Sequence, residues 1–179
     1  PALGVGVGNA VITVDDTADL DAAAEKIRLS KTLDLAASCS SDNSVVLLDG
    51  IYEPMLEKLK AQGGYLCNGD EKAALRNTLW DEELHLNTAI VAQPPEKIAQ
   101  MAGLSIPEET KFFIVPEDGW GPEHPFSGEK LSVIMALYRA RDIDHAIELT
   151  QNIQAYQGQG HSCGIYSNND ENIMKLAEN

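Results

Sequence analysis

Ala10-Val11-Ile12-Thr13-Val14, then Asp15-Asp16-Thr17, then Leu20-Asp21-Ala22-Ala23-Ala24-Glu25-Lys26-Ile27: a short β-branched run, a trio of oxygen-bearing side chains, and an amphipathic stretch. The first reads as a buried strand. The second supplies side chains that cap a helix N-terminus. In the third, Leu20, Ala23, Ala24 and Ile27 recur at helical spacing, so that one face packs on a sheet while the acidic start suits the helix dipole. A strand that feeds a helix in this way is the unit of an α/β fold with a mostly parallel sheet.

The same alternation continues outward. Ala36-Ala37-Ser38-Cys39-Ser40-Ser41-Asp42-Asn43 is a small, polar connection into the strand Ser44-Val45-Val46-Leu47-Leu48, after which Asp49-Gly50 turns the chain. A helix follows with Pro54 near its start, Met55, Leu56 and Leu59 on one face, and Gly63-Gly64 at its end. Further helices are expected around Glu71 to Leu79, Pro95 to Ala102 and Ile143 to Ile153. Strands are expected around Lys111 to Val115, Leu131 to Tyr138 and Ser162 to Tyr166. Between Pro116 and Lys130 the density of Gly and Pro dictates an ordered, irregular loop of the kind that carries function.

Composition narrows the partners. The chain has 179 residues, enough for one domain with its own core, and 13 Lys+Arg against 28 Asp+Glu give a net charge of -15. That charge opposes nucleic acid or an anionic membrane as partner. There is no apolar run near the ~20 residues of a membrane span and no secretion signal, so a cytoplasmic location is expected. Cys39, Cys67 and Cys163 are too few and too scattered for a disulfide framework and read as free thiols. The chain starts at Pro1 with a glycine-rich stretch, which gives the expectation of a domain excised from a longer polypeptide.

Most motif matches dissolve on inspection. Gly4-Val5-Gly6-Val7-Gly8-Asn9 lacks the third glycine of a dinucleotide fingerprint and precedes a strand instead of following one. Ser127-Gly128-Glu129-Lys130 and Ser41-Asp42-Asn43 match two penicillin-recognition motifs in the wrong order. His85, His124, His145 and His161 have no H-x-x-x-H spacing and the cysteines no C-x-x-C, so no metal site is expected. Cys39 stands out by its neighbours: in a connection rich in Ser and Asn, backbone N–H groups left free stabilise a thiolate and an oxyanion. Taken alone, a free cysteine is more often a small buried hydrophobe.

Four segments in order change that balance: Gly4-Val5-Gly6-Val7-Gly8-Asn9, Ser38-Cys39-Ser40-Ser41-Asp42-Asn43, His124-Pro125-Phe126-Ser127-Gly128-Glu129-Lys130-Leu131-Ser132 and Gly160-His161-Ser162-Cys163-Gly164-Ile165. Together they resemble the catalytic domain of the coenzyme A-acylating aldehyde dehydrogenases, and the serine-rich cysteine segment is most similar to the acylating sulfoacetaldehyde dehydrogenases. The resemblance implies a three-layer α/β catalytic domain over 1–179, with the dinucleotide-binding domain upstream and an oligomerisation segment downstream, both outside this chain. It implies a small aldehyde (sulfoacetaldehyde, or succinic semialdehyde or another short one), NAD or NADP as cofactor, coenzyme A as co-substrate, and a homo-oligomeric whole protein. Cys39 resembles the nucleophile that forms a thiohemiacetal and then a thioester. Glu129 resembles the acid that holds the nicotinamide ribose. His161, Gly4 and Asn9 fall at pocket positions, Gly4 where hydrolytic relatives carry a water-activating glutamate. An isolated 1–179 chain is then expected to be inactive as a dehydrogenase.

Two readings compete with this one: a hydrolytic dehydrogenase that needs no coenzyme A, and a non-catalytic α/β interaction domain in which Cys39 is structural. An anionic substrate calls for a cationic partner. Arg28, Lys31 and Lys130 stand near the motifs, and their positions in sequence do not single one out.

Overall fold

The computed structural model describes residues 6–179. Six strands form one sheet: β1 (Ala10–Val14), β2 (Asp42–Leu48), β3 (Gly64–Leu66), β4 (Phe112–Pro116), β5 (Ile134–Ala140) and β6 (Cys163–Tyr166). Their order is β3-β4-β5-β2-β1-β6, and every pairing is parallel. Between them run α1 (Leu20–Thr32), α2 (Tyr52–Ala61), α3 (Gly69–Leu79), α4 (Pro95–Ala102) and α5 (Ile143–Tyr156), with α6 (Asp170–Ala177) closing the chain. Parallel neighbours need crossovers, and helices supply them. All seven residues of β2 are buried, as expected for a central parallel strand covered on both faces.

The amphipathic faces read from the sequence point into the core. Ala23, Ala24 and Ile27 of α1 and Met55, Leu56 and Leu59 of α2 are buried, and α1 packs on α2 while α5 packs on β1, β2 and β5. Among the described residues no helix is long and apolar enough to cross a membrane.

Three local expectations need correction. The cap of α1 is Asp19, which accepts from the Ala22 N–H at 3.1 Å, and not the Asp15-Asp16-Thr17 trio. Asp15 is instead buried at the carboxyl end of β1, where it accepts from the Thr17 backbone at 2.9 Å, from Asn172 at 2.9 Å and from Ser167. Burial pushes its pKa up, but these hydrogen bonds together hold it below the ordinary value. Those last two donors come from the segment leading into α6 and from α6 itself, a helix the apolar periodicity does not announce because Leu176 is its one buried residue. Finally, Gly64 does not end a helix: Gly63, at φ +95°, turns the chain so that Gly64 opens the edge strand β3.

Candidate active site

The four segments singled out in the sequence precede four strands that are neighbours in the sheet. Gly8-Asn9 leads into β1, Cys39 into β2, Glu129 into β5 and His161 into β6, and these strands lie side by side as β5-β2-β1-β6. Residues more than a hundred positions apart therefore meet at the amino-terminal edge of the sheet. The usual crevice of open α/β sheets lies at the opposite, carboxyl edge.

Cys39 reaches its place through an unusual turn. After α1 the chain passes Asp34, Leu35 and Ala36 with φ of 47°, 53° and 58°. The left-handed region costs a non-glycine residue about 1–2 kcal/mol, so the surroundings must hold this turn in place. Two bonds do so at its base: Ser41 Oγ donates to the Ser30 carbonyl at 3.0 Å, and the Asp42 N–H donates to Ser30 Oγ at 3.0 Å. Cys39 is exposed at the crest, beside Ser38 and Ser40, whose hydroxyls are 2.9 Å apart.

Gly8 passes directly against this turn. An ideal Cβ built on it would lie 2.8 Å from both the Cβ and the carbonyl oxygen of Cys39 and in overlap with Glu129 Oε1. The nucleophile candidate, Glu129 and the Gly8 backbone thus share one small space. A cleft walled by Lys31, Ala36, Cys39, Asn43, Glu129 and Leu131 opens there, with a volume of about 10 Å³, about what one water requires. Glu129 Oε1 is buried without a hydrogen-bond partner. Burial raises the Glu129 carboxyl, opposed by the Gly8 N–H, by His161 and by Lys130.

Beneath this layer lies a polar scaffold. Asn9 Nδ2 donates to the Ser127 carbonyl at 2.8 Å and to the Gln157 carbonyl at 2.9 Å, while its Oδ1 accepts from Asn43. Asn43 Nδ2 also donates to the Gly128 carbonyl at 2.7 Å. Lys130, fully buried, donates to the Phe126 and Gly128 carbonyls, and the Glu129 N–H donates to Gln157 Oε1 at 2.9 Å. The serine-aspartate-asparagine and serine-x-x-lysine matches are accordingly packed together as struts that fix Glu129 opposite Cys39.

The comparisons with known proteins agree with this geometry. No family model matches the chain. It is 42% identical over 180 residues to the acylating sulfoacetaldehyde dehydrogenase of Cupriavidus necator, covering 99% of this chain and 36% of that protein. It is 40% identical over 177 residues to the bifunctional aldehyde-alcohol dehydrogenase AdhE of Escherichia coli, covering 99% of this chain and 20% of that one. The crystal structure of an acetylating aldehyde dehydrogenase from Geobacillus thermoglucosidasius superposes with a TM-score of 0.94 at 35% identity, over 98% of this chain and 39% of that one. Over nearly its whole length the chain is similar to one part of the acylating aldehyde dehydrogenases. It spans well under half the length of each of these proteins.

Within this chain the expected pocket residues divide. Gly4 lies outside the described residues. Asn9 is buried with both ends of its amide engaged, so it braces the site from behind. His161 is exposed, with Nδ1 2.8 Å from Ser162 Oγ, and its charge reaches Glu129. Of the thiols, Cys67 is buried and burial pushes it up to about 12, which makes it inert at neutral pH. Cys163 is exposed.

Sequence reasoning passed over two features. Lys31, only one of three nearby cations in sequence, is the one that walls the Cys39 cleft. At the opposite edge of the sheet, beyond β4, Glu117, Asp118 and His124 place ligand-type atoms within 4.8 Å of one another, with Lys72 2.9 Å from Glu117. Neither carries a motif, since each is assembled by tertiary packing.

Removing one strut should be costly. Asn43→Ala leaves Asn9 Oδ1 without its donor, while the Gly128 carbonyl keeps Lys130, and an orphaned buried acceptor costs about 1–3 kcal/mol. Urea unfolding of the variant should show a lower midpoint with an unchanged slope.

Proposed function

We propose that this chain is the cysteine-bearing catalytic domain of a longer, homo-oligomeric dehydrogenase that converts a small aldehyde, coenzyme A and NAD(P)+ to an acyl-CoA. The dinucleotide-binding domain is supplied by sequence outside these residues, and the isolated chain is inactive as a dehydrogenase. The observation that carries the reading is the convergence of Cys39, Gly8 and Glu129 on one cleft at the sheet edge.

Cys39 attacks the aldehyde carbon to give a thiohemiacetal, and loss of hydride from that carbon leaves a thioester on sulfur. The Cys39 N–H and the Ser38 and Ser40 hydroxyls are the donors this turn offers to a developing oxyanion. Bound NAD(P)+ supplies the hydride acceptor. Glu129 suits the ribose, because its buried Oε1 lacks a donor that a ribose hydroxyl provides. The thiol of coenzyme A then displaces the acyl group and regenerates Cys39. No histidine walls the cleft among the described residues.

For the substrate we favour sulfoacetaldehyde, supported by the 42% identity to the enzyme of that name. The whole protein should be assayed with coenzyme A against sulfoacetaldehyde, succinic semialdehyde and acetaldehyde. The reading requires the highest kcat/KM for sulfoacetaldehyde by at least about tenfold, a difference of about 1.4 kcal/mol. A preference for acetaldehyde would reject it.

A further inference from the structure

Lys31 sits in the last turn of α1, beneath the turn that carries Cys39. It is 1% exposed, yet it walls the cleft that Cys39 opens into. A buried amine is costly to charge, and this one lines the same small cleft as the Cys39 thiol and the Glu129 carboxyl.

The surroundings govern its charge. Burial pushes Lys31 down to about 7, against the pull of Asp42 at the start of β2. Burial likewise raises the Asp42 carboxyl to about 6, against a hydrogen bond from Ser30 and the charge of Lys31. From the segment before β5, Lys130 repels Lys31 and Glu129 walls the same cleft; from β6, Tyr166 feels Asp42. These groups leave Lys31 able to hold or release a proton at neutral pH. No histidine lines the cleft, so the usual partner of a catalytic thiol is missing from it.

We propose that Lys31 is the proton acceptor for the Cys39 thiol. The S–H proton passes to the neutral Nζ amine, directly or through the one water the cleft admits, leaving a thiolate beside an ammonium. Once the thioester has formed, the ammonium gives that proton to solvent; the second thiol then passes its own proton to the neutral Nζ and attacks the thioester, and Cys39 leaves as a thiolate beside the ammonium, which restores the pair. No oxidant or reductant takes part in this step. The inference rests on Cys39 being the nucleophile of the proposed reaction, and it adds how that sulfur is activated.

The test is alkylation of the 179-residue chain by iodoacetamide from about pH 5.5 to about pH 9.5, read at each cysteine by mass spectrometry. Cys39 should react well ahead of Cys163 at neutral pH, with a pH profile of its own. Lys31→Met should slow Cys39 about tenfold at neutral pH and make its profile coincide with that of Cys163, with Cys163 unchanged. Lys31→Arg, a cation that does not titrate, should keep Cys39 ahead of Cys163 across the range. Glu129→Gln should leave the Cys39 profile in place.

Coincident Cys39 and Cys163 profiles in the unsubstituted chain would overturn the proposal without any variant having to fold. So would a Cys39 profile that survives Lys31→Met, or one lost in Glu129→Gln, which would make Glu129 the acceptor. A Lys31-dependent profile together with no thioester on Cys39 in the whole protein would uphold the pairing and reject the catalytic reading instead.

Discussion

Cys39→Ser should lower coenzyme A-dependent aldehyde oxidation by the whole protein by at least about a thousandfold, in line with the loss of a nucleophile elsewhere. A hydroxyl at this position has no neighbour basic enough to ionise it, and an oxygen ester would resist displacement by a thiol. Stability should hardly move. Cys39 is exposed, its sulfur is replaced by an oxygen of smaller size, and surface substitutions of this kind stay within about 0.5 kcal/mol. A parallel measurement of kcat and of the thermal midpoint separates the two effects. Retained turnover would remove Cys39 from the chemistry, and a joint loss of turnover and stability would make it structural.

Gly8→Ala should damage the site from the other side. The new Cβ would stand 2.8 Å from the Cβ and the carbonyl of Cys39 and in collision with Glu129 Oε1. Neither can retreat freely: the Cys39 carbonyl is backbone, in the short connection between the left-handed turn and β2, and Glu129 is tied through its N–H to Gln157, whose own carbonyl is held by Asn9. Displacing reacting groups by about 1 Å costs roughly a hundredfold in rate, and overpacking costs about 1–3 kcal/mol. The expected result is a fall in kcat of about a hundredfold with a lower melting midpoint. Activity like that of the unsubstituted protein would show that Gly8 does not touch the working site.

The two predictions show which parts of the molecule the sequence makes legible. β1, α1, β2 and α4 follow from apolar periodicity and turn residues, because each buries a face against the sheet and the pattern is a direct image of that burial. β3 and α6 do not, since one is a three-residue edge strand and the other buries a single leucine. The membership of the site is legible only through the joint order of four motifs. Its physical basis is topological: four strands adjacent in the sheet bring their preceding loops together, and strand order is invisible in any one segment. The left-handed turn at Asp34, Leu35 and Ala36 has no glycine or asparagine to announce it, since tertiary contacts impose it. For the same reason the sequence does not single out Lys31 from Arg28 and Lys130, and Lys31 proves to be buried beside the cysteine.

The most direct test of this account is the dependence of turnover on coenzyme A. NADH and NADPH formation by the whole protein should be followed with sulfoacetaldehyde in the presence and absence of coenzyme A, and the enzyme stopped without coenzyme A should be weighed intact. The account requires rapid turnover only when coenzyme A is present, and a mass increase of one acyl group on Cys39 when it is not. Equal turnover without coenzyme A, with free acid as product and no acyl group on Cys39, would contradict it.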